Sequence, residues 1–327
     1  MTMVRDDGDT AASVDENGVK PMVDNLFLLA MDHRDSLQRD VYGIPGEPTK
    51  ADIAMISADK LLIFEGLTRA IEGGVDAASA GVLVDERFGA EVARRARTRG
   101  LDLAMPVERS GQKLFTLEYG TLADDEWLDH VADFDPDQVK VLVRDNPDDD
   151  PADRAAQLHA LAHVSLMLEE AARTFIVELL VPATKAQLAS VGGDVDRYDS
   201  ELRPALTSRV ISDYQQHAVE PTIWKIEGLE STVAASAVVA TAQQGGRSEV
   251  RCIVLGRDAP FERLDHWLGI AAVTPGFIGF AIGRSIWERP LRQHREDGDD
   301  GALVETVAAN YTHFAQVYER AKLLPGE

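Results

Sequence analysis

From Leu26 onward the chain alternates short aliphatic runs with polar turns and longer stretches of helical period. Eight such runs stand out: Leu26 to Met31, Ala77 to Val84, Leu101 to Val107, Gln138 to Val143, Phe175 to Val181, Thr222 to Ile226, Val250 to Leu255 and Phe277 to Ile282. Each has the length of a strand, and their nearly continuous apolar character suits strands covered on both faces, as in parallel sheets. The segments between them predict helices, most clearly Asp59 to Glu72, Arg87 to Arg99, Pro151 to Arg173, Glu201 to His217, Ser231 to Gln244, Phe261 to Ala271 and Ala302 to Lys322. The third connection, Glu108 to Asp137, is irregular. Eight strand-then-helix units ending in a helix predict an α/β chain folded as a single (β/α)8 barrel over residues 26–327, of the triosephosphate isomerase type. An open doubly wound sheet is the alternative, but no glycine fingerprint follows the first strand. Pro147 to Pro151, with three aspartates between, reads as a solvated loop.

Composition agrees with one large aliphatic core. Of the 327 residues 45% are hydrophobic and only 6% aromatic. Acidic residues outnumber basic ones 56 to 33, a net charge of -23, and only 8 of the basic residues are lysines. Such a surface repels nucleic acid and anionic membranes, so neither is expected as a partner; a homo-oligomer is left open. An anionic ligand would need a local basic patch, which draws attention to arginines near strand ends. The single cysteine, Cys252, lies in an apolar run and reads as a buried core thiol, consistent with a cytoplasmic location. No stretch approaches the roughly 20 apolar residues of a membrane span. The polar segment Met1 to Asn25 lacks a signal-peptide core and is expected to be a disordered leader.

In a barrel of this kind function collects where strands end, because those ends line one mouth. The first strand runs into Asp32, His33 and Arg34, the second into Asp85 and Glu86, the third into Glu108, and the fourth carries Lys140 and ends at Arg144. The fifth contains Glu178, the sixth Lys225 and Glu227, and the seventh and eighth end in Gly256-Arg257 and Gly283-Arg284. Lys140, Glu178 and Lys225 sit inside apolar runs, where an unpaired charge costs several kcal/mol unless partnered or neutralised. Strand alternation puts Lys225 and Glu227 on one side of the sixth strand and Trp224 and Ile226 on the other. A lysine in apolar surroundings loses solvation for its charged form and becomes a usable amine nucleophile, and a second lysine nearby, here Lys140, is expected to act in the same direction. The bland alternatives are a lysine that snorkels to solvent, or a buried ion-pair network that only fills the barrel. The two glycine-arginine pairs fit the usual phosphate position of such barrels, with Arg257 and Arg284 adding charge-assisted hydrogen bonds; the alternative for either one alone is a helix-opening arginine paired to a surface Asp, and as a matched pair they favour phosphate. His33 is a candidate base or ligand beside Asp32 and Arg34, or equally a loop residue bonding those neighbours. The eight histidines are scattered without metal-ligand spacing, so no metal is expected.

The stretches LFLLAMDHRDS, LVDERFG, LAMPVERSGQ, VKVLVR, VELLVPAT, IWKIEGLE, CIVLGR and GFIGFAIGRSIW span the chain from about Leu26 to Leu324. In combination they resemble the C-terminal aldolase-type domain of the bifunctional 5-dehydro-2-deoxygluconokinase proteins of myo-inositol catabolism, and more distantly the tagatose 1,6-bisphosphate aldolases. The resemblance implies a class I aldolase, a metal-independent carbon-carbon lyase using a lysine imine and no other cofactor. By it Lys225 matches the Schiff-base lysine, Glu178 the proton-shuttling carboxylate, Lys140 the second active-site lysine, Asp32 the carboxylate after the first strand, and Arg284 the phosphate-side arginine. The bifunctional proteins carry a sugar-kinase domain ahead of this one, for which Met1 to Asn25 is too short, so the small-molecule substrate is expected to arrive already phosphorylated. The expected reaction is cleavage of 5-dehydro-2-deoxygluconate 6-phosphate to dihydroxyacetone phosphate and malonate semialdehyde. Tagatose 1,6-bisphosphate or another ketose phosphate is the alternative substrate, and a non-catalytic barrel that binds a sugar phosphate is the alternative of another class. Arg257, Gly256, Gly283, His33, Arg34, Glu227 and Arg144 complete the expected substrate contacts.

Overall fold

The computed structural model describes residues 24–124 and 126–323. Eight parallel strands, β1 (Leu26–Ala30), β2 (Ala80–Leu83), β3 (Asp102–Pro106), β4 (Gln138–Arg144), β5 (Thr174–Leu180), β6 (Ile223–Glu227), β7 (Arg251–Leu255) and β8 (Phe277–Ile282), pair in chain order and close into a barrel. Around them lie α1 (Lys50–Glu72), α2 (Glu86–Thr98), α3 (Glu126–Phe134), α4 (Pro151–Glu170), α5 (Lys185–Ser190), α6 (Val195–Arg197), α7 (Arg203–Gln216), α8 (Thr232–Gln243), α9 (Phe261–Ala272), α10 (Arg284–Asp297) and α11 (Asp300–Leu323). The fold is the single (β/α)8 barrel that the apolar rhythm predicts.

Alternation along each strand sorts the core into two layers. Leu26, Leu28 and Ala30 join Ile176, Ile223, Ile253 and Ala281 in a small cluster inside the barrel, whereas Phe27, Leu29, Trp224 and Ile226 belong to the larger layer between barrel and helices. The inward positions of β4, β5 and β6 above that apolar floor are Lys140, Glu178 and Lys225, with Glu178 directly opposite Lys225 in the strand register. The period of two that buries Trp224 outside the barrel therefore forces its neighbour Lys225 inside. The closing seam is tied from without: the Tyr311 hydroxyl donates to Phe27 O at 2.6 Å, the Tyr318 hydroxyl to Phe277 O at 3.0 Å and the Trp287 indole N-H to Ala30 O at 2.8 Å.

Several element boundaries differ from the sequence reading, each for a local reason. The first helix starts at Lys50 rather than Asp59, because Thr49 and Asp52 form a reciprocal capping box. The second strand starts only at Ala80, since Asp76 accepts from Ala78 N and Ser79 Oγ and holds the preceding residues in a turn. The irregular third connection contains α3 and, among the described residues, an isolated antiparallel bridge between Glu108 and Leu117. Two helices, not one, follow β8; α10 was hidden by its polar composition and by Pro290 in its interior. Of the expected leader Met1 to Asn25, residues 1–23 lie outside the described residues, while Asn25 accepts a hydrogen bond from Lys322 Nζ at 2.7 Å. Among the described residues no helix is long and apolar enough to cross a membrane.

Candidate active site

The carboxyl ends of the strands open onto a cavity of about 320 Å³. Eleven of the twelve candidate residues line it: Asp32, His33, Arg34, Lys140, Arg144, Glu178, Lys225, Gly256, Arg257, Gly283 and Arg284. Glu227 is the exception. Its carboxylate points along the rim, accepting from Val181 N at 2.9 Å and from Arg257 Nη1 at 2.5 Å.

Lys140 is the hub of the floor. Its Nζ donates to Asp32 Oδ2 at 2.7 Å and to Glu108 Oε1 at 2.9 Å, and lies 2.9 Å from Glu178 Oε2. Lys225 Nζ lies 3.0 Å from that same Glu178 oxygen. Both approaches to Glu178 Oε2 are ion-pair contacts without hydrogen-bond geometry, since this oxygen has no hydrogen-bond partner. Lys140, Lys225 and Glu178 are all buried, at 1%, 2% and 5% exposure.

Burial by itself pushes the Lys140 ammonium down, but Asp32, Glu108 and Glu178 together outweigh it and hold the group above the ordinary lysine value. The expectation that two neighbouring lysines depress each other therefore fails for Lys140: three carboxylates surround it against one other lysine. Asp32 and Glu178 are held below the ordinary carboxylate range, because Lys140 and Lys225 overcome the burial that would raise them. For Glu108 burial prevails over Lys140 and Arg34, and its carboxyl is held above the ordinary value.

His33 stands between Asp32 and Arg284, its ring edge-on to Trp287 with centroids 5.4 Å apart. Burial, assisted by the Arg284 and Lys225 charges, lowers it from 6.5 to about 4, so the imidazole is neutral at pH 7. The unfolded chain takes up a proton near pH 6.5 that the folded chain refuses, so this group's stability contribution is complete above about pH 6.5 and is lost as pH falls toward 4. Denaturation of His33→Gln across that window should show a flatter loss than the parent, by on the order of 2 kcal/mol; parallel curves would remove His33 from the acid response.

The phosphate-type rim is arranged differently from the sequence expectation. Arg257 lines the cavity, but its guanidinium is committed to Asp199 at 2.6 Å and Glu227 at 2.5 Å, as part of a buried network with Arg203. Arg284 opens α10 immediately after Gly283 and pairs through Nη2 with Asp258. Arg34 points to the opposite wall, donating to Glu108 O at 2.7 Å and Glu108 Oε1 at 3.3 Å, and Arg144 is an exposed rim residue. Cys252 faces the outer layer, its thiol pushed up to about 12 by burial.

Three participants escaped the candidate set. Glu108 was visible as a strand-end residue, but nothing in its local spacing distinguishes it from a turn carboxylate. Asp258 shares its loop with Arg257, and both adopt positive φ, 53° and 45°. Lys60 is helical in sequence, yet its Nζ crosses to Met31 O at 2.6 Å, His33 O at 3.3 Å and the Asp85 carboxylate, pinning the turn that carries Asp32. Among the described residues eight buried side-chain polar atoms lack a hydrogen-bond partner, and five of them belong to cavity residues: His33 Nδ1, Arg34 Nε, Glu108 Oε2, Glu178 Oε2 and Arg284 Nε. Buried polar groups are normally satisfied, so their concentration here suits a polar ligand. No group of His, Cys, Asp and Glu among the described residues is arranged to hold a metal ion; the floor carboxylates converge on an ammonium instead.

Residues 12–322 match DUF2090, the family described as Uncharacterized protein conserved in bacteria. The chain belongs to the DUF2090 family. No curated protein matches its sequence. Solved structures similar to this DUF2090 barrel include Cgl0159 from Corynebacterium glutamicum, 18% identical with a TM-score of 0.55, over 92% of this chain and 88% of that one. An archaeal fructose-1,6-bisphosphate aldolase, whose catalytic lysine is covalently bound to the carbinolamine intermediate of its substrate, is 13% identical with a TM-score of 0.55 over 90% of this chain and 94% of that one. The fructose-bisphosphate aldolase from Slackia heliotrinireducens is 14% identical with a TM-score of 0.53 over 95% of this chain and 89% of that one. At these identities the likeness establishes the shared fold.

Proposed function

We propose that this DUF2090 protein is a class I aldolase that cleaves a phosphorylated keto sugar or keto acid through an imine on Lys225. The observation that carries the reading is Lys225 itself: a buried lysine inside the barrel, open to a polar cavity, whose Nζ lies 3.0 Å from a carboxylate oxygen shared with a second buried lysine. The archaeal neighbour with a covalently bound catalytic lysine supports it by analogy of fold.

The free amine of Lys225 attacks the ketone carbon to give a carbinolamine. Loss of water, with a proton supplied to the departing hydroxyl, leaves an iminium that serves as the electron sink. Removal of the proton from the hydroxyl two carbons away then breaks the intervening C-C bond, releasing an aldehyde and an enamine. Protonation of the enamine carbon and hydrolysis release the ketone product and restore Lys225. Glu178, ionised and beside Lys225, accepts and returns protons in this cycle. Lys140 remains a cation that holds Asp32 and Glu178 in place and steadies developing negative charge on the substrate hydroxyl. Gly283, Arg284 and the N-terminus of α10 receive the phosphate. Arg257 shapes that rim without offering a free charge.

The substrate that fits the reading is 5-dehydro-2-deoxygluconate 6-phosphate, cleaved to dihydroxyacetone phosphate and malonate semialdehyde, as in the bifunctional kinase-aldolase proteins the sequence resembles. Tagatose or fructose 1,6-bisphosphate keeps every residue role and changes only the half of the cavity away from Arg284. Borohydride reduction in the presence of dihydroxyacetone phosphate, followed by peptide mass spectrometry, should place a covalent adduct on Lys225. An adduct on another lysine, or none from a preparation that turns the substrate over, would overturn the mechanism.

A further inference from the structure

Glu108 is 6% exposed, lines the cavity, and is used by none of the steps above. Its two oxygens are in different situations. Oε1 accepts from Lys140 Nζ at 2.9 Å and from Arg34 Nη2 at 3.3 Å, so both cations that reach this carboxyl are on one atom. Oε2 is buried and has no hydrogen-bond partner. Arg34 Nη2 also holds the Glu108 main-chain oxygen at 2.7 Å, which fixes the strand end from which the side chain departs. With Oε1 acting as acceptor for two cations, a proton carried by this carboxyl rides on Oε2.

Charge counting points the same way. Lys140 meets three carboxylates, Asp32, Glu108 and Glu178, and Lys225 meets Glu178. Ionised Asp32 and Glu178 already match the two lysines at their full charge, and outnumber the cations when Lys225 is the free amine that the imine chemistry uses. Arg34, the other cation on Glu108, lies 3.5 Å from a second carboxylate, Glu118. A third negative charge on this floor would be unbalanced and poorly solvated.

We infer that Glu108 is a further catalytic residue, a neutral carboxyl that donates a hydrogen bond from Oε2 to an oxygen of the bound substrate. The groups that face it are Asp32 and Arg34 from the end of β1, Lys140 from β4, Glu178 from β5, and Glu118 through Arg34. Burial together with the Asp32 charge favours the protonated form, and Lys140 and Arg34 oppose it without prevailing. A neutral acid as donor is useful here because it binds a substrate oxygen without adding negative charge beside the developing alkoxide. The role rests on the aldolase reading for its reaction and on the geometry of Oε1 and Oε2 for its assignment.

The test compares Glu108→Gln with Glu108→Ala, each checked for folding by thermal melting. Turnover is measured on whichever of 5-dehydro-2-deoxygluconate 6-phosphate, tagatose 1,6-bisphosphate or fructose 1,6-bisphosphate the parent cleaves. The amide keeps a donor and the shape of the acid, so Glu108→Gln should lose about tenfold in kcat and Glu108→Ala about a hundredfold or more. The parent's kcat/KM should fall as Glu108 loses its proton with rising pH, and that fall should be absent in the glutamine variant. Infrared difference spectra of the parent at neutral pH should show a neutral carboxyl C=O stretch that Glu108→Gln lacks. Equal losses in the two variants with an unchanged pH profile, or absence of that band, overturn the assignment. Absence of any borohydride-trapped adduct in the parent defeats the aldolase reading instead, and the infrared comparison still decides whether Glu108 holds a proton.

Discussion

Lys140→Met should lower turnover by about a thousandfold and cost about 3 to 5 kcal/mol of stability, more than a lysine-to-methionine change of similar length costs at an ordinary buried site. The reason is electrostatic. Lys140 Nζ sits within 2.9 Å of oxygens from Asp32, Glu108 and Glu178, and methionine leaves the Asp32 and Glu178 carboxylates and the Glu108 carboxyl facing one another without their common cation. The protein must then either repel itself or take up protons. In the parent, Asp32 and Glu178 are held below the ordinary carboxylate range, so their stabilising contribution is complete above that range and is lost only as pH falls through their lowered values. The raised Lys140 value gives the matching statement at the alkaline end: its contribution is complete below the ordinary lysine range and persists until pH climbs above it. In the methionine variant the first of these signs reverses, because the crowded carboxylates gain protons readily, and mild acid should restore part of the lost stability. Urea unfolding at neutral pH and at pH 5, with parallel turnover measurements, checks the prediction. A variant that unfolds at the parent's urea concentration at both pH values would show that Asp32, Glu108 and Glu178 do not depend on Lys140.

The second large effect lies at the barrel seam. A Cβ placed on Gly279 would stand 2.0 Å from Leu26 O and 2.8 Å from Leu26 C, and the residue's φ of +147° is itself one that side chains rarely adopt. Leu26 is its register partner across the β1-β8 pair, so the clash is with backbone that cannot rotate away. Gly279→Ala must spread the seam that closes the barrel, and we expect a loss of about 3 kcal/mol or more, enough to lower the thermal midpoint by several degrees. Gly269, within α9, is the internal control: nothing lies within 4 Å of an added Cβ there, and Gly269→Ala should be neutral or stabilising by up to about 1 kcal/mol. Circular-dichroism melts of the two variants beside the parent decide the matter. Similar midpoints for both would mean that the seam has room the close approach denies.

Much of the site was legible along the chain because barrel strands obey a strict alternation. Lys140, Glu178 and Lys225 were conspicuous as charges inside apolar runs, and the period of two put them on the inner wall once Trp224 and the flanking valines were placed outside. Glycine-arginine turns after β7 and β8 were equally readable as rim positions. What failed was the assignment of partners. Arg257 and Arg284 look alike in sequence, yet Arg257 is consumed by Asp199, which lies 58 residues earlier, and Glu227, while Arg284 faces Asp258 in the cavity wall. Glu108 stands in sequence only as a charge after the third strand, although it is 2.9 Å from the hub lysine 32 positions away. Lys60 carried no local signal, since its partners Met31, His33 and Asp85 lie on two other segments.

By itself the sequence determined the barrel, its eight strands in order, and which side chains face its interior, because those follow from short-range periodicity and from the need to bury aliphatic runs. Only the tertiary structure decided which of those charges neutralise one another. An ion pair depends on distances between strands far apart in the chain, and a difference of a few ångströms separates an arginine held by one carboxylate from an arginine held by two, or a carboxylate from a carboxyl that keeps its proton.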